Sequence, residues 1–158
     1  EAAIKWTNDV VVRGKKVAGI LTEMSTDLDR IEFVVIGIGI NVNTDSFPEE
    51  IREVATSLAI EQGKETARTP IIAAVWKQFA RYEKLFEEKG SFTALKERYE
   101  ALLANRGREV RVLDPDGEYC GVAEGITEGG ELLVRREDQS LTAVRSGEVS
   151  VRGIYGYI

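Results

Sequence analysis

Lys5-Trp6-Thr7-Asn8-Asp9-Val10-Val11-Val12-Arg13-Gly14-Lys15-Lys16-Val17-Ala18-Gly19-Ile20-Leu21-Thr22-Glu23 and, shortly after, Phe33-Val34-Val35-Ile36-Gly37-Ile38-Gly39-Ile40-Asn41-Val42-Asn43 decide how this chain is read. The β-rich runs are parted by polar turns at Arg13-Gly14-Lys15 and at Thr26 to Arg30. That pattern predicts three strands in an antiparallel meander. Side chains alternate along a strand, so Gly37, Gly39, Asn41 and Asn43 are expected on one face. Glycine weakens a strand and packs nothing, so it marks a bulge, a tight contact, or a wall left bare for a ligand. A flat purine fits such a wall, and the amides beyond it can both donate and accept hydrogen bonds.

Working outward, the 158 residues allow one domain, or one and a small second one. With 43% hydrophobic and 30% charged residues the composition is that of an ordinary globular protein. A net charge of −6 favours solubility and argues against a broad nucleic-acid surface. The single cysteine, Cys120, allows no intrachain disulfide, which fits a reducing cytoplasm. Glu1-Ala2-Ala3-Ile4 carries no basic-then-apolar leader, and the apolar-plus-glycine run from Phe33 to Ile40 is too short to span a bilayer. Histidine is absent, which removes Ser-His-Asp and Cys-His machinery and His-containing zinc sites from these residues. Chemistry is left to Lys, Arg, Asp, Glu and Asn, groups that suit phosphates and carboxylates. There is no initial Met and the first β-rich run starts at once, so an upstream portion is expected, in the same or another polypeptide.

After the meander, Ser46 with Glu49 forms a capping-box pattern around Pro48. Ile51, Val54, Ala55, Leu58 and Ala59 follow at helical spacing up to Gly63, predicting a helix with Arg52 near its first turn. A cation is poorly placed there, so Arg52 reads as either a solvated surface residue or a functional one. Thr69-Pro70 opens a second helix whose stripe of Ile72, Val75, Trp76, Phe79, Tyr82 and Phe86 is expected to be core, with Gly90 as its end. Ser91 is expected to cap a third helix, with Leu95, Tyr99, Leu102 and Leu103 turned inward. From Arg108 onward the pattern becomes short alternating strands between turns, which predicts a small five-stranded barrel. Two familiar motifs are missing. The third glycine of a dinucleotide fingerprint would fall at Val42, and no Gly-x-x-x-x-Gly-Lys-Ser/Thr loop occurs.

The set Lys5-Trp6-Thr7-Asn8-Asp9, Lys16-Val17-Ala18-Gly19-Ile20-Leu21, Gly37-Ile38-Gly39-Ile40-Asn41-Val42-Asn43 and Ala55-Thr56-Ser57-Leu58 resembles biotin protein ligase, in order and spacing. The terminal Gly147-Glu148-Val149-Ser150-Val151-Arg152 is similar to the end of that family's C-terminal module. The resemblance implies an α+β chain: the C-terminal portion of a class II aminoacyl-tRNA synthetase-like catalytic domain over 1–106, then an SH3-like barrel over 107–158. It implies biotin, ATP and Mg2+ as the reacting set, with biotinyl-5′-adenylate formed first. The biotinyl group then passes to a lysine of a biotin carboxyl carrier protein domain.

Lys16 is where the resemblance and the chemistry meet. Joining a carboxylate to an α-phosphate brings two anions together, and a cation between them stabilises the bond-forming step. At about 4 Å and an effective dielectric near 20, one charge pair is worth about 4 kcal/mol. The family's lysine before the hydrophobic-Ala-Gly matches Lys16, not Lys15. The resemblance implies Asp9 as the acid that positions magnesium or orients the carrier amine, Asn41 as the adenine contact, and Arg52 as a contact to the adenylate. Lys5, Asn8, Gly19, Gly37 and Gly39 are the remaining expected ligand-binding positions, and Glu148 and Arg152 are expected either to face the site from the barrel or to form surface ion pairs. Asn8 and Asp9 alternatively just make the turn into the strand.

Thr7 stands where the family usually has Pro, which loosens the backbone before Asn8. The family's upstream Gly-Arg-Gly-Arg-x-Gly-Arg loop and N-terminal winged helix are absent from these residues. The chain is therefore expected to need the N-terminal half, in cis or in trans, and an unpaired strand edge is expected to favour a homodimer. The rival readings are a non-catalytic module that binds adenylate or docks the carrier, and a lipoate-type ligase.

Overall fold

The computed structural model describes residues 1–27, 30–114, 117–145 and 150–153, the last of these by backbone for 150–152. Two compact units emerge: Glu1–Ala2 with Asn8–Thr66, and Ala3–Thr7 with Ala67–Ile158. Along the chain come β1 (Ala2–Lys5), β2 (Asp9–Val12), β3 (Lys15–Asp27), β4 (Arg30–Ile40) and α1 (Leu58–Gln62).

In the first unit, β2, β3 and β4 form the antiparallel meander read from the sequence. Arg13 and Gly14, both at positive φ (49° and 80°), make the two-residue turn whose twist matches the flanking strands. The register slips between Val10 and Val11: Val10 faces Ala18, but Val11 faces Lys16, so Val17 is an extra residue on β3. β4 ends its sheet and pairs only with β3. Phe33, Val34, Val35, Ile36 and Ile38 along it are all exposed.

The helix expected from Ser46 to Gly63 is shortened to its last stretch. Only Leu58–Gln62 is α-helical; Ser57 caps it through Ile60 N, and Gly63 closes it in the left-handed conformation. Upstream, the backbone of 54–56 pairs with β3 instead: Lys16 N donates to Val54 O and Thr56 N to Lys16 O, both at 2.8 Å. A backbone group committed to a sheet neighbour cannot also close a helical turn. The Ser46 hydroxyl donates to Asp45 rather than capping.

The second unit continues with α2 (Arg68–Lys89), α3 (Thr93–Leu102), β5 (Glu109–Leu113), β6 (Tyr119–Ile126), β7 (Leu132–Arg135), β8 (Leu141–Val144) and β9 (Ser150–Gly153). Its strands form one antiparallel sheet in the order β8-β7-β6-β5-β9. Val110, Val112, Ala123, Ile126, Leu132 and Val134 are fully buried on its inner face. Trp6 joins that core; its N–H donates to Asn105 Oδ1 and its indole N–H to Gly130 O. Pro70 sits in the first turn of α2 and Gly90 ends it, as read. The expected core stripe is not core: α2 buries no residue fully, and Trp76 is 66% exposed with Ile72 and Phe86 also bare. The half-buried line is instead Ile71, Val75, Phe79, Tyr82 and Leu85, rotated slightly round the helix. Ser91 does not cap α3, since its hydroxyl donates to Thr93 Oγ1. Among the described residues, no helix is long and apolar enough to cross a membrane.

Candidate active site

The first unit holds a cleft of ≈ 810 Å³ lined by Asn8, Lys16, Gly19, Gly37, Gly39 and Asn41, among others. β3 and β4 supply its floor, with Gly19 opposite Gly39 and Leu21 opposite Gly37. A Cβ added at Gly37 or Gly39 would meet nothing nearer than 3.7 Å and 3.9 Å, ordinary contacts in each case. Neither glycine has positive φ, and neither stands at a register shift. The chain's own packing therefore does not demand them; they leave the wall bare. Of the readings open at the sequence level, bulge and tight contact are removed.

Lys16 enters this cleft because of the bulge. With strict alternation, Lys16 and Gly19, three residues apart, would project to opposite faces. The extra residue at Val17 reverses that parity, so Lys16, Gly19 and Asp9 share a face. The Lys16 ammonium reaches Asp9 Oδ1 at 2.6 Å. Lys15 goes the other way, donating to Arg52 O at 3.0 Å with Glu53 at 3.9 Å. Two adjacent lysines are thus sorted between two faces by one inserted residue. A strand pattern read at period two does not reveal this.

The segment Ala55-Thr56-Ser57-Leu58 is the part whose role was not legible. Thr56 and Ser57 are completely buried, and their backbone joins the two chemical elements of the cleft. Thr56 N binds Lys16 O, Leu58 N binds Asn41 O, and Asn41 Nδ2 donates to Thr56 O at 3.1 Å. Beneath them Glu61 accepts from Thr56 Oγ1 at 2.7 Å and from Arg13 Nε at 2.6 Å. The Thr56 hydroxyl, followed by the Arg13 guanidinium, holds the Glu61 carboxyl below its ordinary range. The burial of two small polar residues was the missed signal; their hydroxyls serve the scaffold.

Of the expected site residues, Lys16, Asn8, Gly19, Gly37, Gly39 and Asn41 are brought together, with Asp9 bonded to Lys16. Asn8 is also a clamp: its Nδ2 donates to Ile20 O, and Ile20 N returns a bond to Asn8 O. Asn43 does not extend the amide wall. Its side chain is spent on Thr66, donating to the carbonyl and accepting from the N–H. Lys5 is buried at the end of β1 and is not among the residues lining this cleft. Arg52 lies in no helix; it pairs with Glu49 at 3.4 Å and Glu53 at 3.6 Å and lines a second cleft with Arg13, Lys15 and Phe47. Glu148 and the Arg152 side chain lie outside the described residues. Asp9 places its Oδ1 on the Lys16 ammonium. Among the described residues no group of three His, Cys, Asp or Glu forms an all-protein metal cage, and a magnesium ion carried by nucleotide phosphates needs only one or two carboxylates.

Two family models match the chain: the Biotin/lipoate A/B protein ligase family over residues 1–41 and the Biotin protein ligase C terminal domain over residues 107–152. The apo structure of biotin protein ligase from Aquifex aeolicus superposes with a TM-score of 0.85 at 37% identity, covering 96% of this chain and 65% of that one. The chain belongs to the biotin protein ligase family. Every residue lining the cleft falls within the first matched segment of this chain. The Aquifex ligase in complex with biotin and ATP gives a TM-score of 0.84 at 37% identity, covering 96% of this chain and 62% of that one. The bifunctional ligase/repressor BirA of Bacillus spizizenii is 38% identical over 137 residues, which is 85% of this chain and 42% of the relative. The biotin–[acetyl-CoA-carboxylase] ligase of Paracoccus denitrificans is 31% identical, over 84% of this chain and 56% of the relative. The chain thus spans about half the length of the curated relatives it matches.

Proposed function

We propose that this chain supplies the adenylate-facing wall and the essential cation of an ATP-dependent biotin ligase. The observation that carries the reading is Lys16, an ammonium aimed by a bulge into a cleft whose floor is bare at Gly37 and Gly39. A purine lies on the glycine floor, and Asn41 Oδ1, left over after its Nδ2 has bonded Thr56, accepts from the exocyclic amine. Lys16 stands between the two anions. A biotin carboxylate oxygen bonds to the α-phosphorus and pyrophosphate leaves; the cation lowers the cost of the crowding charge. In the second half-reaction the carrier lysine nitrogen attacks the acyl carbon, AMP leaves, and the amine's proton is lost. Asp9, beside the ammonium, orients Lys16 for the first step and is the nearest carboxylate to accept that proton. Magnesium accompanies ATP through its phosphates, with no step assigned to a protein-built metal site. Lys5 is a proposed ligand contact, and Arg52 joins once bound substrate draws it from Glu49 and Glu53. The reaction belongs in the cytoplasm, where Cys120 remains a free thiol.

The exposed β4 face supports a second part of the proposal. A long, apolar, unpaired edge is normally covered. The family's N-terminal half, in cis or in trans, covers it here and completes the biotin pocket. A second copy pairing along β4 is the competing occupant, and sedimentation with and without that half separates the two.

Calorimetry tests the site. Together with the N-terminal half, the chain should bind biotinyl-adenylate far more tightly than ATP; a non-catalytic module would show comparable affinities. Offering biotin against lipoate to the reconstituted protein decides between the two branches of the matched family model, with biotin transfer expected.

A further inference from the structure

We propose that Gly19 is a positioning residue: its missing Cβ is the space through which Lys16 lies down across the strand to reach Asp9. A Cβ built at Gly19 would stand 2.9 Å from Lys16 Cε, 2.9 Å from Lys16 Nζ and 3.2 Å from Asp9 Oδ1. At 2.9 Å something must shift, and because Cε and Nζ are the far end of a flexible side chain the shift is taken up by the Lys16 ammonium itself at little cost. The atoms in the way are the reacting end of one side chain and its partner, and no backbone atom is among them. Backbone conformation is not the reason for glycine, because Gly19 is not among the residues at positive φ. Nor is pairing with β4, since none of the three atoms nearest to a Cβ at Gly19 belongs to that strand. What remains is the Lys16 stem. The bulge at Val17 puts Lys16 on the Gly19 face, and the vacancy at Gly19 lets it lie flat there.

The consequence rests on the adenylation reading: with any larger residue at 19, the ammonium is lifted off Asp9 and out of register with the two anions it must bridge. The geometric claim itself needs no activity. A double-mutant cycle on the whole chain, Gly19→Ala with Lys16→Ala, reads it through thermal melting. Gly19→Ala should raise the melting temperature when Lys16 is Ala, as a strain-free Gly-to-Ala change does, and should raise it less, or lower it, when Lys16 is present. An equal effect in both backgrounds would overturn the proposal. Amine labelling followed by mass spectrometry supplies a readout that mere stability would not move. Lys16 in Gly19→Ala should react about two- to fivefold faster than wild type, the range for releasing an ion pair of modest strength, while Lys64 and Lys89 are unchanged. Asp9→Asn, which adds no bulk, should show the same release. Wild-type labelling of Lys16 in a folded Gly19→Ala chain would refute the assignment. If Gly19→Ala does not fold but Lys16→Ala/Gly19→Ala does, the cycle still supports it; if neither folds, the clash lies elsewhere and the proposal falls. Unchanged ligation with released Lys16 would leave the geometry standing and count against the adenylation reading alone.

Discussion

β4 and β7 are built from the same kinds of residue and end in opposite states. β7 places Leu132 and Val134 at no exposure inside the second unit's core. β4, richer in apolar residues, leaves Phe33, Val35 and Ile36 at 58%, 50% and 43% exposed. Hydrophobic content alone therefore does not locate the core; a strand contributes to stability only where a facing element exists to cover it. The C-terminal sheet has such elements within this chain, including Trp6 and Leu103. In the reading proposed above, the meander carries the chemistry and waits for its cover.

Truncation should sharpen that contrast most. Leu132→Ala is expected to cost about 2–5 kcal/mol of unfolding free energy by urea titration, as for other buried leucines. Ile36→Ala, on the bare strand, should change it by no more than about 0.5 kcal/mol in the chain alone. Equal losses would break the comparison. Next in size, adding the family's N-terminal half should slow amide exchange along β4 and leave β7 as it was; protection confined to other strands would argue for a different occupant.

pH probes each unit separately. Burial pushes the Tyr99 phenol up to about 12, and its hydroxyl donates to Thr7 O. The unfolded phenol ionises near its ordinary value of 10.0. Stability from the neutral phenol is thus fully present below that value and lost as pH rises towards 12. Tyr99→Phe should flatten that window, and an unchanged alkaline profile would show the shift to be absent. The smallest effect is expected in the first unit. Glu61 is held low, first by the Thr56 hydroxyl, so its contribution is present above the ordinary carboxylate value of 4.5 and fades as pH falls through the lowered one. Glu61→Gln should remove that acid-side slope, with a weaker hold on the 54–58 segment as the accompanying sign.

The strands were legible because alternation and turn residues act locally: Arg13-Gly14 needed only its own positive φ values. Gly63 and Gly90 ended helices for the same reason. Non-local demands were not legible. Residues 46–57 look helical by spacing, yet Lys16 at the start of β3, before its pairing with β4 begins at Ala18, took the backbone of 54–56. The face of Lys16 depends on one bulge, which no residue type announces. The α2 stripe was read as core from periodicity, which fixes a direction on the helix but not whether anything lies there. The bare glycine floor was one of three readings the sequence left open, whereas the scaffold role of Thr56 and Ser57 emerged only with their burial.

The central claim is that the ammonium at position 16 makes adenylate formation possible. Biotin-dependent exchange of labelled pyrophosphate into ATP, measured on the chain joined by the N-terminal half, isolates that half-reaction. Lys16→Ala is expected to slow exchange by at least about a hundredfold, the effect of deleting a pre-aimed charge donor, while Lys15→Ala leaves it near wild type. Exchange at the wild-type rate in Lys16→Ala would contradict the account.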